Sequence, residues 1–285
     1  MLRALFVRAL PFIFFAHVPA YVHAQEVSEK QEASVENKWL DDYRKPVGLT
    51  YGAQATLQTT YLWRGMFAGA TNIQVDANVG YGGLYLDMWW NIGTTDWRFA
   101  QFQPEVDFSL GFARWGLNIY ALYIHNFNCG FFDFSNYTDK GNRFELDASY
   151  TVSSKLPLRF QWATRVSAAD GYFTEQGDLK YAYSSYAEIS YTQALPHDLS
   201  LYGAVGMTPW KSCYTGYKSG FAVVNIDIRL RKDWTLNKYC GMMLFGQLVL
   251  NPYALASDKH AAEWHPQNPG GQGINANIGA GIYLK

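Results

Sequence analysis

Arg64, Arg143, Arg159, Arg165 and Arg229, with Asp76, Asp87, Glu105, Asp107, Glu145, Asp147, Glu188 and Asp227, are the residues here best equipped for chemistry. Each sits at an alternating position inside or at the end of an otherwise apolar run. Charges in that pattern share one face of a strand, because successive side chains point to opposite faces. Opposed charges across a narrow lumen would set up a transverse field and select polar or charged solutes. The plainer alternative is that they pair with one another and fill the interior, as in small barrels. The excess of acids leans towards neutral or cationic solutes. Arg64-Gly65 ends the first run, and either lines a mouth or anchors the first loop by a salt bridge.

Catalysis finds less support. A membrane hydrolase needs a serine beside a histidine that an asparagine orients. His125-Asn126 has no serine two residues on, since residue 127 is Phe127. His260, Glu263 and His265 lie in a loop rich in Gly and Pro, too loosely spaced for a metal site. No catalytic residue, metal ligand or cofactor is expected.

The elements that would carry these charges are amphipathic strands. From Val47 to Trp63 the odd positions read Val, Leu, Tyr, Ala, Ala, Leu, Thr, Tyr and Trp, with Thr59 the one polar member. The even positions carry Gly, Thr and Gln and lead to Arg64. Ile73, Val75, Ala77 and Val79 then oppose Asn72, Gln74, Asp76 and Asn78. The same rule gives Leu84–Ile92, Phe102–Phe112, residues 117–126 with least clear faces, 142–152, 158–167 and Tyr181–Tyr191. It continues through Leu199–Met207, Ala222–Leu230 with Val224 on the apolar row, Met242–Asn251 and Ile274–Leu284.

Twelve runs of roughly 9–12 residues suit tilted strands crossing a bilayer. Longer loops and shorter turns alternate between them, which places long loops outside and both ends in the periplasm. The presumed outer face is nearly free of charge, whereas a soluble sandwich would put polar residues there. The fold class is therefore all-β: a transmembrane antiparallel up-and-down barrel of about twelve strands, occupying 47–285. Aromatic loop residues such as Phe127, Phe131, Phe132, Phe134, Trp210 and Tyr214 would fold over the barrel, meet lipid headgroups or stack on sugars.

Residues 1–24, with Arg3 and Arg8 ahead of an apolar stretch and Val22-His23-Ala24 at the end, read as a cleaved signal peptide. Residues 25–46 form a charged, flexible periplasmic leader, or a plug entering the lumen. Two of the 23 basic residues fall in the signal, leaving 21 against 24 acids, so no nucleic-acid partner is expected. The expected surroundings are the bacterial outer membrane and its lipid, with small polar solutes as partners and the oligomeric state open. Cys129 and Cys213 lie in outer loops and Cys240 on an apolar face; a disulfide between the first two and three free thiols both remain open.

The segment TTYLWRGMFAG, followed by GGLYLDMWWNIGTTD, resembles a family of outer-membrane porins called TorF-like. Tyr61, Trp63, Arg64 and Gly65, then Gly83, Tyr85 and Trp90, carry the resemblance, which is confined to about 59–95. It implies a membrane barrel and a pore with no assigned solute. The function expected is a passive, porin-like channel. The alternative is a non-conducting barrel with a structural or surface-binding role.

Overall fold

The computed structural model describes residues 48–94, 102–125, 127, 129–134, 141–153, 155–167, 170–218, 220–256 and 273–284. The signal and leader segments, and His260, Glu263 and His265, lie outside the described residues.

Among the described residues there are sixteen strands: β1 (Leu49–Gln58), β2 (Tyr61–Trp63), β3 (Met66–Gly69), β4 (Asn72–Tyr81), β5 (Leu84–Thr94), β6 (Phe102–Arg114), β7 (Leu117–His125) and β8 (Arg143–Thr151). They continue as β9 (Leu158–Arg165), β10 (Gly171–Phe173), β11 (Leu179–Tyr181), β12 (Ser185–Leu195), β13 (Leu199–Thr208), β14 (Ala222–Thr235), β15 (Cys240–Leu250) and β16 (Ile274–Leu284). Twelve close into one barrel in the order β1-β16-β15-β14-β13-β12-β9-β8-β7-β6-β5-β4. Every neighbouring pair is antiparallel, and β1 seals the barrel on β16 through Gln54–Gln58 and Gly279–Tyr283. Closure leaves no edge of the barrel sheet unpaired, the condition for a sheet in hydrocarbon.

The faces sort as the alternation requires. Leu57, Ile73, Leu86, Leu110, Leu146, Ile228, Leu248 and Ile278 are exposed on the outside, with Leu110 64% and Ile228 51% accessible. Asn91, Ser109, Asp147, Ser190, Asn225, Gln247 and Asn277 are buried on the inside. Tight turns join several strands at the inner end. Gly82-Gly83, Trp115-Gly116 and His197-Asp198 each have two successive positive φ angles, the geometry whose twist matches a hairpin.

The structure departs from the sequence pattern in four places. The first run is not one strand: barrel strand β1 stops at Gln58, and Tyr61 and Trp63 belong to the separate β2–β3 hairpin. Likewise Leu179–Tyr181 pairs with Gly171–Phe173 in an outer ribbon, and the wall resumes only at Ser185. Val224 is buried rather than lipid-facing, because the β13–β14 register shifts between Gly206 and Met207 and turns it inward. β14 also runs on to Thr235, which puts Arg231 and Asp233 on the lumen face as two further buried charges.

Candidate functional site: the lumen and its outer constriction

The β2–β3 hairpin folds into the barrel mouth. At its tip Arg64 has φ 50° and Gly65 φ 81°, again a turn with two positive φ angles. A left-handed conformation is uncommon for a residue with a side chain, so contacts must hold Arg64 there. Its Nη1 donates to Glu145 Oε2 at 2.7 Å and to the Tyr214 hydroxyl at 2.6 Å, and its Nη2 lies 3.4 Å from Asp147 Oδ1. Trp63 and Tyr186 flank the guanidinium, with ring centroids 4.5 and 5.1 Å from Cζ. Gly65 is pressed so closely on β14 that a Cβ there would overlap the Val224 carbonyl oxygen. The hairpin thus leaves the wall at β1 and touches both β8 and β14.

The hairpin draws most of the outer charges around itself. Glu145, fully buried, takes Arg64 on one oxygen and Arg165 Nε on the other at 3.0 Å. Tyr61 donates to Glu105 at 2.9 Å and packs on Trp89. Arg143 acts electrostatically on Glu105 and Asp107. Arg64, Glu105, Asp107, Arg143, Glu145, Asp147 and Arg165 therefore come together at the outer constriction.

Other loops complete the closure. Residues Cys213–Thr215 form a short 3₁₀ turn whose Tyr214 packs against Trp63 and Tyr186. Burial raises the Tyr214 hydroxyl above its ordinary range, which keeps it protonated beside Arg64. Met66, Ala163, Tyr186, Cys213, Tyr214, Ala222 and Val224 form an apolar cluster, with Trp63, Tyr217 and Tyr253 around it. Asp170, 1% exposed, clasps the loops: it accepts from Ser184 N at 2.6 Å, from Ser184 Oγ, and from the Tyr217 hydroxyl at 3.2 Å. Ser184 Oγ in turn accepts from Cys213 N at 2.8 Å. Burial pushes the Asp170 carboxyl upward, against those hydrogen bonds.

The remaining charges lie further from the mouth. Arg159 bonds Ser149 at 3.3 Å, and Glu188 accepts from Tyr186 and from Tyr202, the latter at 2.8 Å. Asp227 takes Arg229 at 3.3 Å and Gln247 at 2.8 Å, while Arg231 pairs with Asp233 at 2.9 Å. Asp76 and Asp87 stand on β4 and β5, away from this network.

Arg64 does not continue the inward row of β1, as its parity suggested; it reaches the lumen on a hairpin. Sequence reasoning also missed Asp170, Ser184, Arg231 and Asp233. Arg231 and Asp233 alternate with Arg229 and were legible, but the apolar run reads as stopping at Leu230. Cys129, Cys213 and Cys240 are free thiols, with Cys213 buried in the mouth. Phe131 packs on the outer wall, where it meets Phe108, Tyr123 and His125, all three on the outward row. His125 Nδ1 does face Asn142 at 2.7 Å, yet among the described residues no hydroxyl bonds its other ring nitrogen.

A closed barrel with an aliphatic exterior and a charged interior is a membrane protein of the bacterial outer-membrane class, porin-like in build. No protein-family model and no curated protein matches the chain. Among solved structures it is similar to the NanC porin, at 11% identity over 82% of this chain and 99% of that one, with a TM-score of 0.44. An outer-membrane channel of Pseudomonas putida F1 matches at 12% identity over 84% and 96%, TM-score 0.41. OmpF of Salmonella typhi, in complex with daunomycin, matches at 9% over 84% and 97%, TM-score 0.37.

Proposed function

We propose that this barrel is a passive channel for small polar solutes, throttled at its outer end by the β2–β3 hairpin. The observation that carries the reading is the lumen itself. Its inward face holds ionisable and amide side chains on nearly every strand, and buried oxygens of Gln54, Asp87, Asp107 and Asp227 have no hydrogen-bond partner in the protein. Buried polar atoms are ordinarily satisfied by protein or water, so these favour a hydrated interior. The TorF-like resemblance belongs to this reading, with the Tyr61–Gly65 stretch as the tip of the constriction rather than a strand end.

The apolar cluster around Trp63 and Tyr214 favours a second reading, in which the loops seal the mouth at rest. One deletion separates the two. Gln58 and Asn72 are cross-strand partners, so a two-residue turn can replace 59–71 without altering the wall. In planar bilayers the throttled channel shows unitary steps that grow on deletion. A sealed barrel shows none until the hairpin is removed. Silence in both proteins, each folded, would exclude a pore.

A further inference from the structure

The lumen is lopsided in burial and in charge. On β12–β16 the inward residues are almost all buried, from Tyr186 and Glu188 through Asn225, Phe245 and Gln247 to Asn277 and Tyr283. On β1 and β4–β7 the inward residues Gln54, Gln74, Asp76, Asn78, Tyr85, Trp89, Asp107, Asn118 and Tyr120 keep partial access to solvent. The accessible inward side chains are thus concentrated along this second wall, although Thr56, Asn72, Asp87, Asn91, Glu105 and Ser109 on it are buried.

That wall carries charge of one sign. Among the described inward positions of β1 and β4–β7 the charged residues are Asp76, Asp87, Glu105 and Asp107, with no Lys or Arg. Asp76 and Asp107 both stand opposite Trp89, and Asp87 lies two residues from it. Asp87 is therefore the diagonal neighbour of both Asp76 and Asp107, about 7–8 Å from each in such a sheet, while Asp76 and Asp107 lie two strands apart. Arg143 on β8 acts on Glu105 and Asp107. Asp76 and Asp87 have no ion pair among the described residues; Asp76 interacts with Asn78. Asp87 is 7% exposed, and its Oδ1 has no partner. The neighbouring Gln54 Oε1, in register with Asp76, also lacks one. Like charges this close are unfavourable unless a cation comes between them or a carboxyl keeps its proton. Tyr85 and Trp89, flanking Asp87 on the same face, add ring surfaces that attract cations. Arg159 on β9 bonds Ser149 on β8, and Arg229 on β14 pairs with Asp227, both outside this wall.

Resting on the channel reading, we infer that the permeation path follows the β1/β4–β7 wall and that the channel selects small cations over anions. An oxygen-lined, single-signed wall raises the local concentration of counter-ions and excludes co-ions.

The test is the reversal potential of the full-length protein in a planar bilayer under a KCl gradient, with potassium and chloride as probes. The expected result is a permeability ratio favouring potassium by about tenfold, the lower end of electrostatic focusing. Asp76→Asn with Asp87→Asn brings the ratio close to unity while unitary steps persist. Asn78→Lys, a single change on the same exposed row, lowers the ratio even if the double variant fails to assemble. Steps with no cation preference, or a ratio unmoved by Asn78→Lys, overturn the inference and leave the channel standing. Absence of steps from folded wild-type and hairpin-deleted protein removes the channel itself.

Discussion

At the scale of the residue, Arg64 decides how the mouth is built. Its guanidinium satisfies Glu145, a fully buried carboxylate, and reaches Asp147 as well. Removing one member of a buried ion pair costs up to about 3–5 kcal/mol when the remaining charge is left uncompensated; here Arg165 stays on Glu145, so the loss is smaller. Arg64→Ala should therefore release the hairpin without opening the barrel. The measurement is limited proteolysis within 59–71, expected to accelerate, beside heat-modifiable gel mobility, expected to stay unchanged. Gly65→Ala should act similarly by another route, since the added methyl would strike the Val224 carbonyl at a backbone φ of 81°. The importance of Arg64 was legible in the sequence, but its position was not. Strand parity carries Tyr61 and Trp63 smoothly onto the lipid face. The clue lay in Thr59, the one polar residue of that face, which marks where the chain leaves the wall. There Thr59 N donates to Ile278 O at 2.9 Å and Thr60 N to Asn277 Oδ1 at 3.1 Å.

Among the elements, the outer loops are held by polar clasps as much as by apolar contact. Asp170 ties β10 and β11 to the start of β12 through Ser184, and Ser184 ties both to the Cys213 turn. Burial holds the Asp170 carboxyl above its unfolded value. A carboxyl raised in the folded state binds its proton more tightly there, so its contribution is full below the unfolded value. That contribution fades as pH rises through the folded value. Proteolysis in the 171–183 ribbon should accordingly be slower at mildly acidic pH than at neutral pH. Asp170→Asn should flatten this dependence while keeping an acceptor for Ser184 N; a profile that stays steep would assign the effect to another group. None of this could be read from sequence. Asp170, Ser184 and Cys213 are widely spaced and follow no periodic rule, because loop contacts depend on how the barrel brings its ends together. The strands were legible for the opposite reason: their period is enforced residue by residue by two solvents, one on each face.

Across the whole molecule, the fold depends on an inside-out distribution of polarity that neighbouring residues make explicit. On β14, Ile228 points to the exterior and Arg229 to the lumen, where it meets Asp227. The side-chain period of two means that adjacent residues of similar hydrogen bonding face opposite media. It also explains why Val224 was misread, since a single bulge shifts the parity at one end of an otherwise regular strand. Substitution on the two faces should therefore give effects of different kinds. Ile228→Arg near the middle of the strand places a guanidinium in hydrocarbon and should cost about 2–4 kcal/mol. Arg229→Gln keeps an amide in a lumen that already holds Gln247 and Asn277, with Gln247 still donating to Asp227, and should cost less than the outward substitution. Urea unfolding in lipid vesicles measures both. If Ile228→Arg matched wild type, the outer face of β14 would not be touching lipid, and the bilayer would have to be placed elsewhere along the strand.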